Sequence, residues 1–165
     1  MESGKRAIRI VIVDVHPMFR DGLGRLLNAE DGFKVIGEVG VGDAVKQVRQ
    51  LLPDILLLSH VIEQAEVKAL LDASATEARL VLLCDESNDL SELRRSGARG
   101  IVLKSSSTLA LVRCIRAVMN GEYWIDQRLA PRRPPRDTSG TSLVGSPKKP
   151  RGPRNLPPRK KWWGS

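Results

Sequence analysis

The chain has 165 residues, 41% of them hydrophobic, and a formal net charge of +8, which suits one domain with a substantial core. It contains no apolar run of about 18 residues, so no membrane-spanning helix is expected. Its two cysteines, Cys84 and Cys114, fall in apolar stretches without metal-ligand spacing, which points to a reduced, cytoplasmic protein rather than a disulfide scaffold.

The charge is uneven. Residues 1–130 carry 17 Lys+Arg against 18 Asp+Glu, whereas residues 131–165 carry 10 against a single acid, Asp137. Eight of the ten prolines lie in that tail. The basic character therefore belongs to the tail, and only the tail gives a compositional reason to meet nucleic acid. Met1 to Arg6 leads straight into the first apolar run with no h-region, so no signal peptide is expected.

Ile8 to Val13 reads as a strand and ends at Asp14. Val15-His16-Pro17 is a turn, with Pro17 suited to the first position of a helix. Phe19, Leu23, Leu26 and Leu27 then share one helical face. Gly22 and Gly24 weaken that helix by roughly 1 kcal/mol each relative to Ala. Phe33 to Val39 is a second strand. Gly42-Asp43 opens a helix with Ala44, Val45, Val48, Leu51 and Leu52 on its apolar side, and Pro53 stops it. Ile55 to Leu58 is continuously apolar behind a Pro-Asp start, the mark of a strand buried on both faces.

The stretch from Glu63 to Ser74 carries Val67, Leu70 and Leu71 at helical spacing. Arg79 to Cys84 is a fourth strand. Asp89 to Arg95 is a short polar helix with Ser96-Gly97 as its C-cap. Gly100 to Leu103 is a fifth strand, ending in Lys104. Ser105 to Thr108 offers N-cap candidates for a last helix lined by Leu111, Ile115 and Val118, which stops at Asn120-Gly121.

Five alternations of strand and helix predict a doubly wound α/β domain around a five-stranded parallel sheet, over residues 7–130. After Ala130 the periodicity ends. The Pro/Arg-rich segment 131–165 lacks the apolar surface to offset its ordering entropy and reads as a disordered C-terminal tail.

In such sheets ligands sit beyond the carboxyl ends of the strands, and Ser59 is delivered there. Ser59 and His60 do not make a nucleophile–base pair, because adjacent side chains of a strand point to opposite faces and no G-x-S-x-G elbow surrounds the serine. His16 is either a ligand or switch, or an ordinary loop residue. Cys84 is either a redox thiol or a buried inert one. In the tail, Lys148, Lys149 and Arg151, and Arg159, Lys160 and Lys161 beside Trp162-Trp163, combine cations with aromatics, a pattern able to bind nucleic acid weakly through phosphates and stacking.

Three spaced motifs in order give a resemblance. They are Ile12-Val13-Asp14-Val15-His16-Pro17-Met18-Phe19-Arg20-Asp21-Gly22-Leu23, then Pro53-Asp54-Ile55-Leu56-Leu57-Leu58, then Gly97-Ala98-Arg99-Gly100-Ile101-Val102-Leu103-Lys104. With these, residues 7–130 resemble the receiver domain of a bacterial response regulator of the NarL/LuxR-type branch. Ala117 to Trp124 is similar to that branch's end of the last receiver helix.

The resemblance implies a flavodoxin-like fold with strand order 2-1-3-4-5. It also implies phosphoryl transfer from a histidine kinase to an aspartate ending the third strand. Mg²⁺ would be held by that aspartate and two acids ending the first strand. A Thr or Ser ending the fourth strand and a Lys ending the fifth would contact the phosphoryl oxygens. Mg²⁺ demands hard oxygen ligands and neutralises the transferred charge.

This sequence departs from that set. Asp14 matches the first acid, but Val15 stands at the second. Ser59 fills the acceptor position, Cys84 the Thr/Ser position, and Lys104 is retained. Ile62-Glu63 replaces the family's Met-Pro. A serine hydroxyl without an activating base does not replace a carboxylate as acceptor. No cofactor is expected, and Mg²⁺ only if the site functions after all, with Asp14 its weak candidate ligand. Lys104 and Asp14 are expected to pair.

The expectation is a receiver-like module of two-component phosphorelay signalling that works by protein–protein contact, without enzyme activity of its own. Its partner would be a sensor kinase, another regulator or a second copy, with no membrane involved. Two alternatives stay open: a transcription-linked regulator that meets nucleic acid through the tail, or a truncated DNA-binding regulator, since no helix-turn-helix pattern follows Ala130.

Overall fold

The apolar runs become strands because they have two faces to bury, and the amphipathic stretches become helices because they have one. The computed structural model describes residues 4–59, 63–74 and 77–130. In chain order these form β1 (Ile8–Val13), α1 (Pro17–Asn28), β2 (Phe33–Val39), α2 (Val41–Leu51), β3 (Ile55–Ser59) and α3 (Gln64–Ala73). Then follow β4 (Arg79–Cys84), α4 (Leu90–Arg95), β5 (Gly100–Leu103), α5 (Thr108–Met119) and β6 (Trp124–Ile125). The strands are parallel and ordered β2-β1-β3-β4-β5-β6.

The expected order 2-1-3-4-5 is present, but among the described residues the sheet has six strands rather than five. The sixth, β6, pairs Trp124 with Gly100 and Ile125 with Ile101. Two residues are too few to show any period, so nothing in the pattern announces them. As expected, the last helix stops at Asn120-Gly121: α5 ends at Met119, and Gly121, at φ 89°, turns the chain back toward the sheet.

α2 starts at Val41, one residue before the expected Gly42. Leu52 is not on its apolar face: it sits in the left-handed region at φ 46°, half-exposed. A residue before proline is pushed out of the right-handed helical region, and Pro53 follows. Asp89 caps α4, its Oδ1 accepting the Ser91 N–H at 2.8 Å.

The sheet divides the core in two. Val11, Val13, Leu56, Leu58, Leu80 and Leu82 face α2, α3 and α4, while Ile10, Ile12, Ile55, Leu57, Val81 and Leu83 face α1 and α5. Ile55 to Leu58 are wholly buried, each contributing about 1.5–3 kcal/mol to the core. This central strand fixes the height at which Ser59 emerges. Among the described residues no helix is long and apolar enough to cross a membrane.

Candidate functional site

Because the strands run parallel, their carboxyl ends share one edge. β1 delivers Asp14 there, β3 Ser59, β4 Cys84 and β5 Lys104. Asp14 is almost fully buried. Its Oδ1 accepts the His16 backbone N–H at 2.6 Å and lies 3.0 Å from His16 Nδ1. Lys104 Nζ stands 3.5 Å from Asp14 Oδ2. Burial pushes the Asp14 carboxyl upward. The His16 N–H, the Ser59 hydroxyl, the Lys104 charge and the His16 side chain more than offset that, and its pKa falls below the ordinary value.

Ser59 is as buried as Asp14. Its hydroxyl is near enough to favour the charged carboxylate, yet among the described residues neither Ser59 Oγ nor Asp14 Oδ2 completes a hydrogen bond of good geometry. Val15 is 44% exposed and offers only a hydrocarbon side chain where a second acid was expected. Cys84 is fully buried and its Sγ donates to the Val102 carbonyl at 3.6 Å. Burial, with Asp85 and Asp126 nearby, pushes its thiol up to about 11. Such a thiol carries little thiolate at neutral pH.

A cation that sequence pattern did not single out completes the edge. Arg20 Nη1 donates to the Asp14 carbonyl oxygen at 2.6 Å. Its place on the first turn of α1, just past the Asp14 loop, is the one signal that pointed there.

Mg²⁺ fits this edge poorly. Its near-octahedral shell needs several hard oxygens. Asp14 supplies one carboxylate, whose Oδ2 already faces Lys104, Val15 supplies none, and Ser59 supplies a neutral hydroxyl. Among the described residues no three His, Cys, Asp or Glu side chains converge as a metal-binding group.

A second polar cluster lies beside Lys104 and was not anticipated. Asp126, directly after β6, accepts the Ser106 hydroxyl and the Leu103 N–H. Arg128 Nη2 donates to Ser106 Oγ at 2.6 Å, and Arg128 Nη1 reaches Glu86 Oε1 at 3.4 Å. These bonds tie the chain leaving the sheet to the loop that carries Lys104. Nothing in the sequence pattern joins residues twenty positions apart, although a lone acid behind an apolar pair is the trace they leave. His60 and Ile62, and the tail cations Lys148, Lys149, Arg151, Arg159, Lys160 and Lys161, lie outside the described residues.

A doubly wound parallel sheet with Asp14 and Lys104 converging at its carboxyl edge is the arrangement that the resemblance to a receiver domain implies. The comparisons narrow this. No protein-family model matches the chain. The response regulator GacA of Pseudomonas viridiflava is 30% identical over 129 residues, covering 74% of this chain and 60% of the relative. The chain thus spans about 60% of the length of the curated relatives it matches. A LuxR-family two-component response regulator from Aurantimonas superposes with a TM-score of 0.67 at 27% identity, over 75% of this chain and 93% of that one. The signal receiver domain of a NarL response regulator from Mycobacterium tuberculosis gives a TM-score of 0.62 at 27% identity, over 72% of this chain and all of that one. The relatives this chain matches are response regulators of the NarL/LuxR type, and the described domain has the fold of their receiver domains.

Proposed function

We propose that this receiver works without phosphoryl transfer, as an interaction module whose output is contact with a protein partner. The observation that carries this is Ser59 at the acceptor position of the sheet edge. Its hydroxyl needs a base to become a nucleophile. The nearest carboxylate, Asp14, has its pKa held down and is a poor base. The domain on this reading binds no Mg²⁺, catalyses no reaction and operates in the cytoplasm. The partner is a sensor kinase, another regulator or a second copy, met through α1, α5 or the β4–β5 end of the sheet.

The test is incubation of the full chain with acetyl phosphate and Mg²⁺, followed by intact-mass measurement. No phosphoryl adduct is expected, and a stoichiometric one would sink the proposal. A second reading rests on the tail, where ten cations face one acid. Weak, salt-sensitive nucleic-acid binding that disappears when Lys148, Lys149, Arg151, Arg159, Lys160 and Lys161 become Gln would support it. Binding that ignores salt would count against it.

A further inference from the structure

Between the first half of α1 and the start of α5 lies a cavity of about 280 Å³. Leu83 and Val102, from the ends of β4 and β5, form its floor, with Phe19, Leu23 and Leu111 as walls. Among the described residues, Lys104 supplies its single charge and no Asp or Glu lines it. The hydroxyl of Ser107, which caps α5, lies at the rim. The first turns of α1 and α5 carry no acid either. An apolar chamber with one cation and a helix N-terminus at its edge favours a ligand that is apolar at one end and anionic at the other.

We propose that this cavity binds a small amphipathic monocarboxylate, with its hydrocarbon body against Phe19, Leu23 and Leu111 and its carboxylate on Lys104 Nζ. Size follows from volume: an apolar cavity of about 150 Å³ holds benzene, so this one holds a body of about ten to twelve non-hydrogen atoms. The charge follows from Lys104. Its side chain is only 19% exposed, and its ammonium lies 3.5 Å from Asp14 Oδ2 and 5.1 Å from the Phe19 ring centroid. An ammonium has three donors, and one carboxylate oxygen at that distance does not use them up. Lys104 therefore links two carboxylates, the internal Asp14 and that of the ligand.

The experiment titrates decanoate, and separately decanol, into the full chain by calorimetry below the micellar range, with sedimentation in parallel. Decanoate is expected to bind one-to-one and more tightly than decanol. Lys104→Met is expected to weaken decanoate by about tenfold, the loss of one charge-assisted hydrogen bond, and to leave decanol unchanged. Lys104→Arg should restore most of the decanoate affinity. Gly22→Phe covers the case in which Lys104→Met fails to fold. A Cβ at Gly22 meets nothing within 4 Å and the residue lines the cavity, so the ring should fill it and abolish binding of both probes. Three results would overturn the proposal. One is equal binding of acid and alcohol, another is decanoate binding that survives Gly22→Phe, and the third is a dimer broken by Gly22→Phe with no acid bound.

Discussion

Replacing Lys104 with Met, alone and with Asp14→Asn, tests whether the two residues form a stabilising pair. At the observed 3.5 Å the attraction is about 5 kcal/mol with an effective dielectric of about 20, and about 1 kcal/mol in bulk water. Asp14 is buried while Lys104 is about one-fifth exposed, so the pair lies between these limits. After desolvation a coupling energy of about 1–3 kcal/mol is expected from the double-mutant cycle, read by urea unfolding. The pH dependence gives an independent check. The folded-state pKa of Asp14 is lowered, so its contribution is complete above the unfolded-state pKa and is lost as pH falls through the folded value. Without Lys104 that folded pKa moves up toward the unfolded value, so in Lys104→Met the acid-side loss of stability should be smaller and be complete at higher pH. Zero coupling, or an unmoved acid limb, would refute the pairing.

Three further outcomes follow from the packing. A Cβ at Gly100 would lie 2.5 Å from Cys114 Sγ and 3.1 Å from Val118 Cγ2, so Gly100→Ala should cost about 1–3 kcal/mol. Adding Cys114→Ala should recover part of that loss in urea midpoints; strict additivity would contradict the predicted clash. Gly22 is exposed within α1 with open space around it, so Gly22→Ala should stabilise the domain by about 0.5–1 kcal/mol, seen as a raised Tm. The thiols of Cys84 and Cys114, pushed by burial to about 11 and about 12, should react slowly with a disulfide reagent in the native protein and fast in urea. Rapid native labelling of Cys84 would refute its burial.

Much of the fold was legible because its strands are runs such as Ile55–Leu58, which have few uses outside a covered parallel sheet. The edge residues were legible for the same reason: whatever follows an apolar strand is delivered to that edge, as Asp14 and Lys104 are. Val15 and Ser59 could be recognised as departures only because the resemblance said what to expect there. Other features left no periodic trace. β6 exists because Trp124 and Ile125 find Gly100 and Ile101, a pairing set by tertiary register. The Asp126–Ser106–Arg128 cluster joins groups distant in sequence. Leu52 shows local chemistry overriding pattern, since its hydrophobicity extends the α2 stripe while the following proline expels it from the helix.

The short last strand also bears on synthesis. A chain emerging from the ribosome completes β1 to β5 before Trp124 appears, and until then the outer edge of β5 presents unpaired backbone groups that invite association with other chains. Trp124 and Ile125 cover that edge with the fewest residues able to do so, and Asp126 then turns inward to Ser106 instead of lengthening the ladder. The start of β5's outer edge is thus paired by the final few residues of the domain to be made. A nascent chain halted before residue 124 would leave the whole outer edge of β5 unpaired.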